Sequence, residues 1–376
     1  MTARVVLHIG APKSGTTYLQ SVIWGSRKRL QRHGVLVPGR RRFDHTKAAG
    51  AVCSERPANV RPGTRYALWE SFARQAREGQ GTTLISDEWF VSATAEQARR
   101  AVEDLAGCEV HVVFTARDFT RQVPAAWQEE LKLGNASSLE EFVAGLDDPG
   151  TKWSWDTLDA AEVLPRWAGA LPADRVHVVT VPPGRAEPDL LWRRFAAASG
   201  FDPAWGDTDV TDANESLGVE AARFLQEVGP ALREAVDADH AHWTEQYKWL
   251  RRYVGHEVLV PLGGGRIGLD EATTQRLRER TARTEQVLRE SGWDLQGDLA
   301  DLSAAAPQGR SPSSVTAEEM LAVAVRAMPK ILGRLREEAA RADRLAEQGS
   351  GSARPAGEGG ARRTVGALAR RLRGDR

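Results

Sequence analysis

The residues best suited to chemistry stand at the start of the chain. A β-branched run over 4–9 (RVVLHI) passes directly into Gly10-Ala11-Pro12-Lys13-Ser14-Gly15-Thr16-Thr17, and a segment of helical period follows. Two glycines spaced G-x-x-x-x-G between a strand and a helix form a loop whose backbone N–H groups meet an anion at the helix N-terminus. In nucleotide triphosphatases the second glycine is followed by Lys and then Ser or Thr, which lays the lysine along the β- and γ-phosphates. Here Thr16 follows Gly15, and the lysine stands at position 13. A lysine on the rising part of the loop overhangs the first phosphate and whatever leaves it.

Two later strand ends carry further candidates. The run 109–115 ends in Thr115-Ala116-Arg117-Asp118, where a helix begins. The planar, always charged fork of Arg117 suits a terminal phosphate; a salt bridge with Asp118 at the helix start is the alternative. Arg121 and Gln122 lie one helical turn further on. The run 82–86 ends in Ser86-Asp87-Glu88-Trp89. A carboxylate at this place can accept a proton from a reacting hydroxyl. Adjacent carboxylates point to different sides, so one of Glu88 and Asp87 would face a cleft; both also suit a helix cap. Trp89 beside them is either the floor of an acceptor site or a core residue. His45, in the arginine-rich stretch 40–45, is a third candidate base in what reads as a solvated basic loop, whereas His8 inside the first strand reads as a core histidine. No residue set shows a magnesium-binding arrangement, and no metal is expected.

These groups need a scaffold that brings several strand ends together. The runs 4–9, 82–86, 109–115 and 175–181 are nearly continuous in apolar residues, as strands of a parallel sheet covered on both faces are. Segments of helical period lie over 15–32, 65–79, 94–106, 118–133 and 156–170, and after residue 185 over 187–199, 215–235, 240–254 and 270–291. Strand alternating with helix predicts an α/β fold: a phosphate-loop-type parallel sheet flanked by helices. Residues 1–303 form the predicted domain. The composition of 304–315 predicts a linker, and Thr316 with Glu319 predicts a capping box opening a helix over 316–347. Apolar residues at 321, 325, 328, 332, 335, 339 and 342 give that helix a coiled-coil-like 4-3 spacing, suited to homo-oligomerisation, with a kink expected at Pro329. Residues 348–376 read as a disordered basic tail able to touch an anionic membrane surface.

Pro12-Lys13-Ser14-Gly15-Thr16-Thr17 resembles the 5′-phosphosulfate loop of sulfotransferases that use 3′-phosphoadenylyl sulfate (PAPS). The resemblance covers about residues 4–303 and extends to Pro124–Glu129 and Ser291–Leu299, which look like elements of bacterial, actinobacterial-type members. It implies a transfer of the sulfuryl group from PAPS to a hydroxyl or amine of a glycan, glycolipid or small molecule, without a metal. It implies that Pro12, Lys13, Ser14, Gly15, Thr16 and Thr17 hold the 5′-phosphate, with Lys13 on the bridging oxygen. Tyr18 takes the place of an adenine-stacking Trp. Arg117 matches the 3′-phosphate arginine, but Ala125 stands where the family has Ser, so Arg121, Gln122 or a backbone N–H must replace that contact. A base at Glu88 matches the carbohydrate-modifying members, since no His follows the strand. A kinase of the phosphate-loop type and a non-catalytic nucleotide-binding or scaffold protein are the competing readings.

Composition narrows the field. Among 376 residues, 51 Lys and Arg balance 51 Asp and Glu. That balance argues against a nucleic-acid binder. Residues 349–376 hold seven Arg and two acidic residues, so the remainder of the chain carries the acidic excess. The two cysteines, Cys53 and Cys108, have no metal-type spacing and favour a reducing setting. With no signal-type or membrane-spanning apolar run, a cytoplasmic location is expected. The twelve tryptophans are read mainly as packing residues.

Overall fold

Six strands, the inner four largely apolar to both sides, assemble into one parallel sheet, because neither face of the inner strands can be left to water. They are β1 (Arg4–Gly10), β2 (Val35–Leu36), β3 (Thr82–Ser86), β4 (Glu109–Ala116), β5 (Val176–Thr180) and β6 (Asp294–Gln296). The computed structural model describes residues 3–184, 187, 189–210, 216–237, 243–304, 306 and 308–351. The strand order is β2-β3-β1-β4-β5-β6, and every pairing is parallel. Val5 pairs with Thr83 on one side and Val110 on the other, and the register to β4 slips between His8 and Gly10, where the phosphate loop begins.

The helices follow in chain order as α1 (Thr16–Gly25), α2 (Arg27–Arg32), α3 (Arg42–Val52), α4 (Arg65–Glu78), α5 (Ala95–Asp104), α6 (Phe119–Leu131), α7 (Leu139–Gly145), α8 (Trp155–Leu158), α9 (Ala160–Ala168), α10 (Leu190–Ser199) and α11 (Val219–Asp237). The short α12 (Trp243–Glu245) runs into a π-helix over Gln246–Leu259, and α13 (Glu271–Glu290) and α14 (Ala317–Gly351) complete the set. They sort onto the two faces by the strands' alternation. Val5, Leu7, Ile9, Ile85, Val112 and Phe114 meet Trp69, Phe72, Ala98, Val163 and Trp167 of α4, α5 and α9. On the opposite face, Val6, Leu84, Val113 and Val179 meet Leu19, Val22 and Ile23 of α1 and Trp192 and Phe195 of α10. The expected α/β architecture is thus observed, with six tryptophans (Trp69, Trp127, Trp153, Trp155, Trp167 and Trp192) buried in it.

Several boundaries differ from expectation, each for a local reason. The segment 15–32 is two helices divided at Ser26, which ends α1 and begins α2. The segment 156–170 is α8 and α9, broken at Asp159, whose carboxylate accepts from Ala161 N and the Thr284 hydroxyl and pairs with Arg280. The stretch 40–45 is no solvated loop: Asp44 accepts the backbone N–H groups of Arg40 and Arg41 and so starts α3. Of the segment 240–254, the described part from 243 gives the short α12 and the start of a π-helix, which no apolar period of 3.6 announces.

Arg310, inside 304–315, bridges to Ile267, and Pro312–Ser314 form a 3₁₀ turn. The chain divides into two compact units, 1–324 and 325–376. In the second, the described part is the helix to Gly351, with Val325, Met328, Leu332 and Leu335 of the 4-3 stripe exposed; Pro329 lies within the helix and does not end it. Residues 352–376 of the expected tail lie outside the described residues, as do Asn214 and Glu215. Among the described residues no helix is long and apolar enough to cross a membrane.

Phe114 is fully buried on the central strand β4. Phe114→Ala is expected to cost about 3–5 kcal/mol through lost transfer energy and an unfilled cavity, read as a lower midpoint in urea unfolding; an unchanged midpoint would contradict this core assignment.

Candidate functional site

From β1 the chain moves past β3 to β2, and from β3 it crosses over β1 to β4. The two crossovers leave in opposite directions, which opens a crevice at the carboxyl ends of β1 and β3. The phosphate loop fills one side of that crevice and Asp87-Glu88 the other. They touch at Gly10: a Cβ there would lie 2.6 Å from Glu88 Cβ and 2.7 Å from its Cα, and the backbone has φ +86°. Both facts require glycine at this position.

Lys13 is the one non-glycine residue with positive φ among the described residues, at +64°. For an L-residue this conformation costs on the order of 1–2 kcal/mol and persists only where neighbours enforce it. The enforcement is visible. Arg117 Nη1 donates to Lys13 O at 2.7 Å, and Gln122 Nε2 donates to Pro12 O at 2.8 Å. Ser14 Oγ lies 2.5 Å from both Ala11 O and Thr115 Oγ1, and Ala11 N donates to Thr115 O at 3.1 Å. The Ser14 hydroxyl is therefore turned into the protein, and only its backbone can meet a ligand.

Gly15 then opens α1 with no side chain to cap it. By contrast α4, α5, α6, α7, α9 and α13 are each capped by a Thr, Asp or Ser side chain. In the first turn of α1, Thr16 is buried, Thr17 exposed and Tyr18 half-buried.

The Lys13 ammonium is 3.1 Å from Glu129 Oε1. Lys132 Nζ lies 3.2 Å from the same oxygen, and Arg251 Nε donates to Oε2 at 2.7 Å. Burial alone would raise the Glu129 carboxyl; Lys13, Lys132 and Arg251 outweigh it and hold the group well below the usual carboxylate range. Glu129, Lys132 and Arg251 are neighbours of the loop lysine that sequence reasoning missed. Glu129 sits two turns after Gln122 on α6, a spacing that places both on one face. Arg251 lies on the π-helix and carries no such signal.

The two candidate bases have separate surroundings. Asp87 is buried; its Oδ2 accepts from Thr46 Oγ1 at 2.6 Å and its Oδ1 accepts from Trp89 N at 3.0 Å, capping the turn Glu88–Ser92. Burial, with the charge of Glu88 adding, pushes its carboxyl up to about 7. Glu88 is half-exposed, and its Oε2 accepts from Gln20 Nε2 of α1 at 3.1 Å. Trp89 is half-buried, 6.0 Å from Trp153 between ring centroids, with the Lys152 ammonium over both rings.

His45 is fully buried, with its ring nitrogens near Pro38 O and Ser86 and its ring packed between Trp24 and Phe72, so it cannot reach an acceptor. His8 bonds Ser86 Oγ at 2.7 Å, and burial pushes it down to about 3. Arg121 Nε lies 3.7 Å from Asp118 Oδ2, one turn from Arg117, and Ala125 is half-buried on the same helix. The run Gly263–Gly265 lies against the start of α11, where Gly265 N donates to Glu220.

The chain matches no family model, and no curated protein matches it. Among solved structures it is similar to the crystal structure of a sulfotransferase from Alicyclobacillus acidocaldarius, with 15% identity over 65% of this chain and 99% of that one and a TM-score of 0.37.

The Asp87 environment predicts a pH dependence. Its folded value lies above the unfolded value near 3.8, so its stabilising contribution is complete at low pH and is lost as pH rises through about 7. Relative to Asp87→Asn, the natural chain is expected to lose stability over this window at up to about 1.4 kcal/mol per pH unit. Parallel pH profiles of the two proteins in urea unfolding would remove the assignment.

Proposed function

We propose that the chain transfers a sulfuryl group from PAPS to a hydroxyl or amine of a glycan, glycolipid or small-molecule acceptor. The observation that carries this reading is the left-handed Lys13 backbone. It lifts a lysine onto the rising part of an uncapped helix-start loop, instead of laying it along a triphosphate. The N–H groups of Ser14 to Thr17 and the Thr hydroxyls are assigned to the 5′-phosphate. Arg117 and Arg121, at the start of α6, are assigned to the 3′-phosphate, and Tyr18 to the adenine.

In the reaction, the acceptor oxygen attacks sulfur as the bond from sulfur to the bridging oxygen breaks. The bisphosphate leaves with that electron pair, and Lys13 neutralises its growing charge. The acceptor proton goes to Glu88. The half-exposed Glu88, whose backbone touches Gly10, favours it over Asp87, both of whose oxygens are engaged.

Calorimetry with adenosine 3′,5′-bisphosphate and with ATP, each with and without Mg²⁺, tests the reading. Metal-independent binding of the bisphosphate is expected; preference for Mg-ATP overturns it in favour of a kinase. Arg117→Ala is expected to weaken the bisphosphate about 10–100-fold, the worth of a charged hydrogen bond or two.

Lys13→Ala is expected to abolish transfer. Glu88→Gln is expected to cut turnover on the order of 10²-fold or more with little change in bisphosphate affinity. Transfer is followed by mass spectrometry as the gain of one sulfuryl group. Full turnover in either variant would refute the role given to that residue.

A further inference from the structure

The Glu129 cluster does more than neutralise a loop lysine. Glu129 has a side-chain exposure of 8% and three cations around it. A buried carboxylate with a single partner loses several kcal/mol when that partner leaves. With three, one can leave while two remain.

The three are not equivalent. Lys132 is 1% exposed, and its stem lies against the π-helix, where a Cβ at Gly255 would come within 2.9 Å of Lys132 Cγ. Arg251 reaches Glu129 from the same π-helix. Lys13 is the most exposed of the three at 27%, and it alone belongs to the loop. Lys132 is held by burial, and Arg251, 23% exposed, by its bond to Tyr247 Oη at 2.9 Å and its place over the Tyr247 ring; Lys13, on the loop, is the one able to change partners.

We infer that Glu129 is a positioning residue: it holds the Lys13 ammonium in the ligand-free protein and releases it to an anion arriving at the loop, while Lys132 and Arg251 keep the carboxylate paired. The inference rests on the loop being an anion site, as in the function proposed above. No bond is made or broken; one ion pair is exchanged for another. Glu129 therefore competes with the bound anion for Lys13, and the exchange draws Lys13 toward the place where charge develops. Removing the competitor should tighten anion binding yet slow the chemistry. A residue needed only for folding would weaken both.

The test uses the full chain, with adenosine 3′,5′-bisphosphate and inorganic pyrophosphate as probes, and turnover read as bisphosphate release from PAPS. Glu129→Gln is expected to bind the bisphosphate at least 3-fold more tightly and to turn over at least 5-fold more slowly. In a Lys13→Ala background the tightening should shrink to less than half. Arg251→Met should act in the opposite sense, weakening binding about 3-fold through a firmer hold of Glu129 on Lys13, and should do nothing once Lys13 is Ala.

If Glu129→Gln fails to fold because Lys132 is left buried, Glu129→Gln with Lys132→Met serves in its place. Unchanged or weaker binding, or tightening that persists without Lys13, overturns the inference. So does wild-type turnover in the Glu129 variant. A chain that binds pyrophosphate but not the bisphosphate overturns the PAPS reading alone, and Glu129 is then judged on pyrophosphate. Binding of neither overturns both.

Discussion

A lysine with φ +64° is the point on which the site depends, because it cannot hold that conformation unaided. Besides the Thr115 contacts of β4, what holds it comes from the segment 117–129. Arg117, just before α6, takes the Lys13 carbonyl; Gln122 takes the Pro12 carbonyl; Glu129 takes the ammonium. One residue just before α6 and two on it, two turns apart, thus fix two consecutive peptides and a side chain. α6 is itself anchored by buried Phe119, Val123, Trp127 and Leu131. Packing energy in the core is thereby converted into backbone strain at the loop. A loop held this way is fixed by the protein's own contacts.

The sheet order supplies the other half of the constraint. Because β1 and β3 send the chain in opposite directions, their carboxyl ends face one crevice. The Gly10–Glu88 contact fixes how closely the two loops approach. Gln20 of α1 then reaches back to Glu88 and to Ser86 O, tying the helix that follows the loop to the carboxylate proposed as base. The relative placement of the two loops is therefore set by the same few contacts.

Much of this was legible in the sequence. Continuous apolar runs revealed four strands and both covered faces, and the loop stood out through its glycines and its displaced lysine. Two strands escaped because they are short: β2 has two residues and β6 three, too few for any period to show. α3 escaped because its helical start depends on Asp44 bonding two backbone N–H groups amid arginines that read as solvated. His45 was misplaced with it. The cluster around Glu129 was only half legible: a helical spacing links Gln122, Glu129 and Lys132, but Arg251 comes from a segment 122 residues away. Contacts of that range are a product of topology, and one sequence does not announce them.

The carboxylates around the loop show how burial and charge divide the work. Glu129 and Asp87 are both buried, yet they titrate in opposite directions. Three cations overcome burial at Glu129 and keep it charged. Asp87 meets a hydroxyl and a backbone N–H, and burial with the nearby Glu88 charge holds its proton up to about 7. Environments that push neighbouring acids apart in this way separate a fixed charge from a neutral acid. Near neutral pH the crevice holds less negative charge than its sequence suggests. Around the loop of a chain whose body carries an acidic excess, local cations and an uncapped helix start thus act against the global sum.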